Sequence, residues 1–403
     1  MATGDTPATA DPPESDEPTA ERRAENPRLY EDEHLVAEGR LGPNELYWRD
    51  HFAWLKDAGY LLRPRYSPTW SAPWKSVDEK PWTFEESVMP LSSLVIDATR
   101  SSDGSYVVLK RCDRLDPSVV SGALREGQIF EKLFREPLAS DPKNHCIRLI
   151  EILQVPDDPA TDLIVMPLLT PWQSPYFQFV TIGEAVEFFS QIFEGLKFLH
   201  NHNIWHGDCK ANNIMMDASP ILREDPHPWD HTMTRDYSRY LPPVRTRTRH
   251  PVKYYWIDFD LSDEYDPSKG PPLVVPGYGG TRNVPEFSFP DRKCNPFAVD
   301  VWCLGFMIQV YFTEGSELDS REKMQGFEFM HGLVAAMTQE DPAKRPNMDE
   351  VVRQFSKIKA GLSPWKLRSR FTSERRAGIV QSATHWARQL YLMARRIPAI
   401  PTP

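Results

Sequence analysis

The hydrophobic periodicity of this chain changes near residue 170, and that change limits the folds the chain can adopt. Between Phe84 and Leu168, short apolar runs such as LVIDATR and SYVVLKR alternate with turn residues, which is typical of strands, and one helical stretch lies among them. After Pro171 the apolar residues recur every three or four positions, as in TIGEAVEFFSQIFEGLKFLHNH, which predicts helices. A small β-rich part followed by a larger helical part predicts an α+β fold with a cleft between two lobes.

The two ends of the chain differ from the middle in composition. Residues 1–40 hold 11 acids and 4 bases and few large apolar residues, so we expect this acidic, proline-rich stretch to be disordered. Residues 41–83 begin with a helix pattern that stops at Gly59, and we expect this prelude to pack on the folded part.

Residues 359–403 form a basic tail with a predicted amphipathic helix. The apolar residues of that helix are Ile379, Ala383, Trp386, Leu390, Met393 and Ile397. Docking on its own chain and contact with an anionic membrane surface both remain open.

Composition excludes some classes of protein. Hydrophobic residues make up 40% of the chain and charged residues 26%, which permits a core and solubility and excludes a wholly disordered or fibrous protein. The net charge of −10 argues against a nucleic-acid partner. Five widely spaced cysteines and the lack of a leader pattern predict a reduced, intracellular protein, cytoplasmic or nuclear. The apolar stretch from Val299 is too short to span a bilayer, so we expect no transmembrane segment, and we expect a monomer.

The densest cluster of chemically useful side chains follows the long predicted helix, in HNIWHGDCKANNIMMD. Phosphoryl transfer needs a carboxylate to orient the attacking hydroxyl, a cation for the oxygens of the moving group, and an oxygen ligand for Mg²⁺. Asp208, Lys210 and Asn213 supply these three groups from one loop. Asp258, at the end of the strand KYYWIDFD, supplies a second acid for the metal.

Together with other motifs, this loop resembles the protein-kinase superfamily over roughly residues 84–358. HGDCKANN is similar to H-R-D-x-x-x-x-N, DFD to D-F-G, and VVLK to V-A-I-K. DVWCLG resembles the start of the central buried helix, and DPAKRP a late motif whose arginine pairs with the glutamate of an A-P-E-like Val-Pro-Glu. The resemblance implies a two-lobed kinase-like fold, with an N-lobe over 84–168, a helical C-lobe over 169–358, and the ATP cleft between them.

The resemblance also implies a role for each matching residue. Asp208 would be the catalytic base and Lys210 the phosphoryl clamp. The implied Mg²⁺ ligands are Asn213 and Asp258. The residues implied to bind ATP, directly or by holding the lysine, are Lys110, Glu126, Val108, Met166, Leu168 and Met215. The residues implied to support the site structurally are His206, Phe259, Glu286, Asp300 and Arg345.

The chain departs from the family pattern at four places. No glycine precedes Gly104 in MPLSSLVIDATRSSDG, where a glycine-rich loop would cover the phosphates. Gly207 replaces the arginine of H-R-D, and Asp260 replaces the glycine of D-F-G. Asp260 is equally open to two interpretations, a solvated turn acid or a further metal ligand. An extra segment, residues 218–252, has few helix or strand signals, and we expect it to be an exposed insertion beside the cleft.

The leading hypothesis is an ATP- and Mg²⁺-dependent protein kinase that acts on Ser or Thr hydroxyls, a preference that Lys210 favours. One alternative is a pseudokinase, an interaction module with weak or no catalysis. Another is a small-molecule kinase of the aminoglycoside or choline type, which also carries a His-Gly-Asp loop. The insertion, the prelude and GGTRNVPEF resemble uncharacterised kinase-like proteins of mushroom-forming fungi.

Overall fold

The computed structural model describes residues 34–77, 79–90, 92–113, 126–276, 281–289, 291–317, 321–373 and 378–403. The predicted disorder of residues 1–40 lies largely outside this part, as does the predicted helix start before Glu126. The chain divides into two compact units, one made of Met1–Ala58 and Leu62–Met89, the other of Gly59–Leu61 and Pro90–Pro403.

Among the described residues of the first unit, the short helices α1 (Pro43–Asp50) and α2 (Phe52–Asp57) form within the predicted helix pattern. A buried ion pair joins α1 to the chain segment that follows α2. Arg65 is wholly buried and donates to both carboxylate oxygens of Glu45, at 2.6 and 2.7 Å. Because a buried guanidinium is costly without a partner, this pair fixes the path of the chain after the helices.

The second unit opens with a five-stranded sheet in the order β1-β2-β3-β5-β4. Its strands are β1 (Tyr60–Leu62), β2 (Val95–Arg100), β3 (Tyr106–Asp113), β4 (Glu151–Gln154) and β5 (Thr161–Pro167). The predicted hairpin LVIDATR–SYVVLKR is formed by β2 and β3, with Val95 opposite Lys110. The sheet begins earlier than the sequence boundary at residue 84, because Tyr60–Leu62 is its edge strand. Three residues between a helix pattern and a proline give too short a periodic signal to reveal a strand.

The rest of this unit is mainly helical, which agrees with the predicted α+β class. In the described residues its helices are α3 (Glu126–Leu133), α4 (Ile182–Asn201), α5 (Pro296–Ile308), α6 (His331–Met337), α7 (Met348–Gly361), α8 (Pro364–Arg368) and α9 (Ile379–Ala394). Thr181 caps α4 by accepting from the backbone N–H of Glu184 at 3.2 Å. By length and composition Pro296–Thr313 could cross a membrane, but 72% of it is buried inside the protein, as in the core helix of a globular domain.

Short ladders hold the two segments that carry the reactive motifs. Strand β7 (Ile204–Trp205) pairs with β10 (Asp263–Glu264). Strand β8 (Ile214–Met216) pairs with both β6 (Thr170–Pro171) and β9 (Tyr254–Trp256). The loop 206–213 therefore starts and ends in a ladder, and so does the loop 257–262.

The insertion, residues 218–252, is packed where the sequence predicted an exposed segment. Five of its residues with little or no exposure are Ile221, His227, Leu241, Arg247 and Val252. Arg247 Nη2 donates to the carbonyl of Phe177 at 2.6 Å, and its guanidinium carbon lies 4.1 Å from the ring centre of Phe179. Turns rather than helices or long strands build this segment, so its buried residues follow no period and the sequence pattern does not reveal them.

The predicted tail helix is present as α9, but it docks through a different face. His385, Gln389 and Leu392 are buried, whereas Leu390 is 53% exposed. His385 Nε2 lies 2.8 Å from the carbonyl oxygen of Arg368, and the Arg368 guanidinium donates to Gln389 at 3.1 Å. Polar side chains can line the docked face because the Arg368 carbonyl and guanidinium form hydrogen bonds with them. Apolar periodicity does not predict such hydrogen bonds.

Candidate functional site

A buried aspartate of α5 organises the loop 206–213. Asp300, wholly buried, accepts from the backbone N–H groups of His206 at 2.7 Å and Gly207 at 2.9 Å. Its carboxylate also lies 3.0 Å from His200 Nε2. The His206 ring is 3.1 Å from the carbonyl of Ile257, and burial lowers the pKa of this imidazole. The core helix thus fixes one end of the loop, and the loop in turn supports the segment after β9.

The structure explains why glycine occupies position 207. Gly207 has φ of 80°, and a Cβ atom there would lie 2.3 Å from the carbonyl oxygen of Leu261. An arginine, as in the family pattern, is incompatible with this backbone path.

The loop brings its three chemically useful side chains together. Asn213 Nδ2 donates to the Asp208 carboxylate at 2.9 Å and to the Asp208 carbonyl at 3.0 Å. The Lys210 ammonium contacts the same carboxylate. Since the amide nitrogen of Asn213 is engaged, its amide oxygen is the atom placed to bind a cation.

Asp258 lies across from this loop in a strained turn. Its φ is 66°, a left-handed conformation that residues other than glycine seldom adopt. Its carboxylate accepts from Lys110 Nζ at 2.6 Å, and the same ammonium lies 2.8 Å from Glu126. Burial alone would lower the pKa of Lys110, but the carboxylates around it outweigh burial and raise that pKa. Burial would raise the pKa values of Asp258 and Glu126, but the lysine keeps both below their usual range.

Asp260 belongs to this ionic cluster and is not merely a solvated turn acid. Its carboxylate lies 3.1 Å from Lys110 Nζ and hydrogen-bonds to Glu126. Although the Asp260 side chain is 50% exposed, partial desolvation of its carboxyl group and, after it, that hydrogen bond raise the pKa of Asp260 to about 7. Cys112 Sγ donates to Glu126 Oε2 at 3.0 Å, and burial raises the pKa of the thiol. Cys112, Glu126 and Asp260 are close enough to hold a metal, but a protonated thiol and an adjacent ammonium make the group an ion-paired network.

A row of three aromatic rings in contact connects helix α3 to the two loops. Phe259 is wholly buried, and its ring centre lies 5.2 Å from those of Phe130 and His206. The backbone N–H of Phe259 donates to Glu126 at 2.9 Å. These contacts hold the lysine-bound glutamate and both loops in one arrangement.

The residues expected around adenine lie at the sheet and at β8. Val108 of β3 is the cross-strand partner of Met166 of β5. The backbone N–H of Leu168 donates to the Tyr106 carbonyl at 3.1 Å, and Met215 lies on β8. Val108 and Met215 are half-buried.

The ion pair expected between the two late motifs is formed. Arg345 donates to both carboxylate oxygens of Glu286, at 2.7 and 2.8 Å, and its side chain is wholly buried. It also donates to the carbonyls of Gln339 at 2.7 Å and Ala298 at 3.0 Å. Bidentate geometry and extra acceptors make this a fixed structural pair.

The sequence did not reveal that the insertion reaches the sheet. Asp97 of β2 is wholly buried and accepts from Trp229 Nε1 at 2.8 Å and Arg235 Nη2 at 2.9 Å. The Arg235 guanidinium carbon lies 4.2 Å from the ring centre of Tyr106. Asp97 is opposite Val108, so both side chains project from the same face of the sheet. The available signal was a carboxylate inside an apolar strand, where a charge requires a partner.

Comparison with known proteins agrees with this geometry. The family profile described as "Protein kinase domain" matches residues 92–377. The chain is 24% identical to yeast (Saccharomyces cerevisiae) "Serine/threonine-protein kinase VPS15" over 206 residues, which are 46% of this chain and 12% of the relative. It is 29% identical to Caenorhabditis elegans "Putative ribosomal protein S6 kinase alpha-2", over 32% of this chain and 18% of the relative. It is 28% identical to C. elegans "Serine/threonine kinase NLK", over 32% of this chain and 20% of the relative.

The matched parts therefore span a fifth or less of these relatives. The profile itself covers more than half of the chain, including the loop 206–213, the Lys110 cluster and the pair between Glu286 and Arg345. By this match, the chain belongs to the protein kinase family.

Proposed function

We propose that this chain transfers the γ-phosphoryl group of ATP to a Ser or Thr hydroxyl of a protein substrate. The observation that carries the proposal is the set of contacts around the two loops. Lys110 bridges Glu126 and Asp258, while Asp208 is hydrogen-bonded to Asn213 and contacts Lys210. These are the groups that phosphoryl transfer requires.

Each group has a chemical task in this proposal. Asp208 orients the substrate hydroxyl and accepts its proton as the oxygen attacks the γ-phosphorus. Lys210 stabilises the negative charge on the transferred group. Asn213 and Asp258 offer the amide and carboxylate oxygens that suit Mg²⁺, which would neutralise charge on the phosphates. Lys110, held by Glu126, binds the α- and β-phosphates.

The nucleotide would lie in a cleft between an N-lobe built on the sheet and a helical C-lobe. We place the adenine ring between Val108 and Met215, with Met166 beside it and Leu168 offering backbone groups. Half-burial of Val108 and Met215 supports this placement, because a residue that lines a cleft keeps part of its apolar surface open. The names of the relatives, each a serine/threonine or ribosomal-protein kinase, support Ser/Thr specificity.

The pseudokinase alternative has one specific observation in its favour. The connection from β1 to β2, residues 63–94, contains no glycine. A backbone without glycine approaches phosphates less closely, which weakens nucleotide binding. The small-molecule kinase alternative loses support, because the pair between Glu286 and Arg345 belongs to the motifs typical of protein kinases.

The test compares the wild type with Asp208→Asn and Asp258→Asn. We expect the wild type to phosphorylate a generic protein substrate with Mg²⁺-ATP, and Asp208→Asn to lose about 10²–10⁴-fold in rate. Thermal unfolding should show that Asp208→Asn still gains stability from Mg²⁺-ATP, while Asp258→Asn gains less. A wild type that neither transfers phosphate nor gains stability is a pseudokinase. Transfer to small alcohols or amino sugars, but not to proteins, would identify a small-molecule kinase.

Other properties of the chain are proposals of the same kind. Five unpaired cysteines support an intracellular location, cytoplasmic or nuclear.

On α9, Val380, Leu390 and Tyr391 are exposed beside Arg388, which supports contact of the basic tail with an anionic membrane surface. The resemblance of the insertion, the prelude and GGTRNVPEF to kinase-like proteins of mushroom-forming fungi stays a prediction from the sequence. A monomer and the lack of a nucleic-acid partner stay predictions from the sequence.

A further inference from the structure

A cavity of about 350 Å³ lies beside the tail segment 370–373, between α8 and α9, and none of the kinase-like motifs contributes to it. Its walls come from three parts of the chain: residues between 172 and 179 before α4, Tyr311 with residues 321, 322 and 324 after α5, and residues 370–373. The charged side chains of its lining are those of Arg321, Arg370 and Glu322. We call it the tail cavity.

Three polar atoms of this lining are buried without a hydrogen-bond partner among the described residues. They are Arg370 Nη1, Ser373 Oγ and Gln173 Oε1. Ser373 is only 3% exposed, and the other nitrogen of the Arg370 fork, Nη2, is already bound to Gln381 at 2.7 Å. Buried polar atoms normally have partners, so three orphans in one cavity indicate that a polar ligand completes them.

The tail cavity adjoins the loop that carries Asp208. Gln173 Nε2 donates to Asn212 Oδ1 at 2.8 Å, and Asn212 lies next to Asn213 in that loop. A second cavity, of about 480 Å³, is lined by Lys210 and Asn212 and shares Tyr311 with the tail cavity. Arg321 covers the Tyr311 ring, with its guanidinium carbon 4.8 Å from the ring centre. A polypeptide whose hydroxyl lies at Asp208 can therefore extend from the second cavity toward the first.

From these contacts we infer that the tail cavity binds an anionic side chain of the protein substrate, a carboxylate or a phosphate, a few residues from the phosphorylated hydroxyl. The inference rests on the proposed protein kinase activity. Arg370, Arg321 and Ser373 donate to the anion, since guanidinium groups match the geometry of carboxylate and phosphate oxygens. Gln173 Oε1 accepts from a backbone N–H of the substrate. Glu322, the one acid among the charged lining residues, leaves a positive balance in the cavity.

The test uses peptides with one serine as the phosphate acceptor and one varied position. Each position on either side of the serine carries Asn, Asp or phosphoserine in turn, which separates a neutral residue, a carboxylate and a phosphate. For the wild type we expect kcat/KM to rise about tenfold or more when an anionic residue occupies one particular position. In Arg370→Gln and Arg321→Gln that rise should shrink about tenfold, while kcat/KM for the neutral peptide stays within a factor of two or so.

Controls separate a change in recognition from a change in folding. Arg353→Gln removes an exposed arginine on α7, outside the cavity, and should keep the full preference for the anionic peptide. Ser373→Ala should weaken the preference with a smaller loss of thermal stability than an arginine variant. A wild type with no preference at any position overturns the inference, and so does a preference that survives in both arginine variants.

Failure of the proposed activity gives a different result. If no peptide is phosphorylated at all, the same fluorescently labelled peptides are titrated against the wild type and Arg370→Gln. Tighter binding of the anionic peptide by the wild type alone would support the cavity as an anion site even without catalysis. Equal binding of the neutral and anionic peptides would overturn it.

Discussion

The carboxylate of Asp97, wholly buried on β2, lies 2.9 Å from Nη2 of Arg235 in the insertion. The loop 206–213 leads through β8 into the insertion. This ion pair therefore connects the insertion to the sheet that carries Lys110. Because Asp97 and Val108 project from one face of the sheet, the contact is made beside the expected adenine position.

Removing the arginine should destabilise the protein. Arg235→Ala leaves a buried carboxylate with one donor fewer, and we expect the free energy of unfolding to fall by about 3 kcal/mol. Arg239→Ala removes an exposed ion pair with Glu224 in the same insertion and should cost less than about 1 kcal/mol. Urea unfolding measures both, and equal losses would show that the buried pair has no special role.

Breaking the buried pair between Glu286 and Arg345 should be more costly than breaking an exposed ion pair. Glu286→Gln leaves a buried guanidinium without its counter-charge, and we expect a loss of about 3–5 kcal/mol in the free energy of unfolding. Arg353→Ala breaks an exposed pair with Glu350 and serves as the control, with an expected loss below about 1 kcal/mol. A loss of similar size in the two variants would contradict the structural role of the buried pair.

Position 207 should tolerate no side chain. Gly207→Ala places a Cβ against the Leu261 carbonyl at a positive φ, and strain at such a position costs about 1–3 kcal/mol. We expect thermal stability and phosphate transfer to fall together, since the loop carrying Asp208 must move. Gly332→Ala, in α6, meets no atom within 4 Å and should be neutral or slightly stabilising. A Gly207→Ala enzyme with wild-type stability and activity would contradict the observed backbone path.

Stability should decrease below neutral pH in part through His206. Burial lowers the pKa of this ring below its usual value of 6.5, so the native state keeps it neutral where the unfolded chain takes up a proton. The unfolded state then binds more protons, and the free energy of unfolding falls as the pH drops below about 6.5, by at most about 1.4 kcal/mol per pH unit. Urea unfolding at pH 7.5 and pH 5.5 should show a smaller decrease for His206→Gln than for the wild type. An equal decrease in the two proteins would show that His206 has the same pKa in the folded and the unfolded state.

The sequence by itself determined the features that depend on short stretches of chain. Spacing within HGDCKANN placed Asp208, Lys210 and Asn213 on one loop, because the loop is too short to separate them. Apolar periodicity located β2, β3 and the long helices, because each buries one face over enough residues to show a period. The A-P-E-like and DPAKRP motifs indicated the ion pair of Glu286 and Arg345.

Only the tertiary structure decided the rest. The edge strand Tyr60–Leu62 is too short for a period and is defined by its neighbours in the sheet. The partners of Asp97, the side of α9 that docks and the walls of the tail cavity join residues far apart in the chain, and local pattern carries no information about such contacts. Gly207 is explained by the carbonyl of Leu261, which the fold brings to it. Single-sequence patterns record which residues prefer burial or a turn, whereas the identity of a distant partner is fixed only when the whole chain packs.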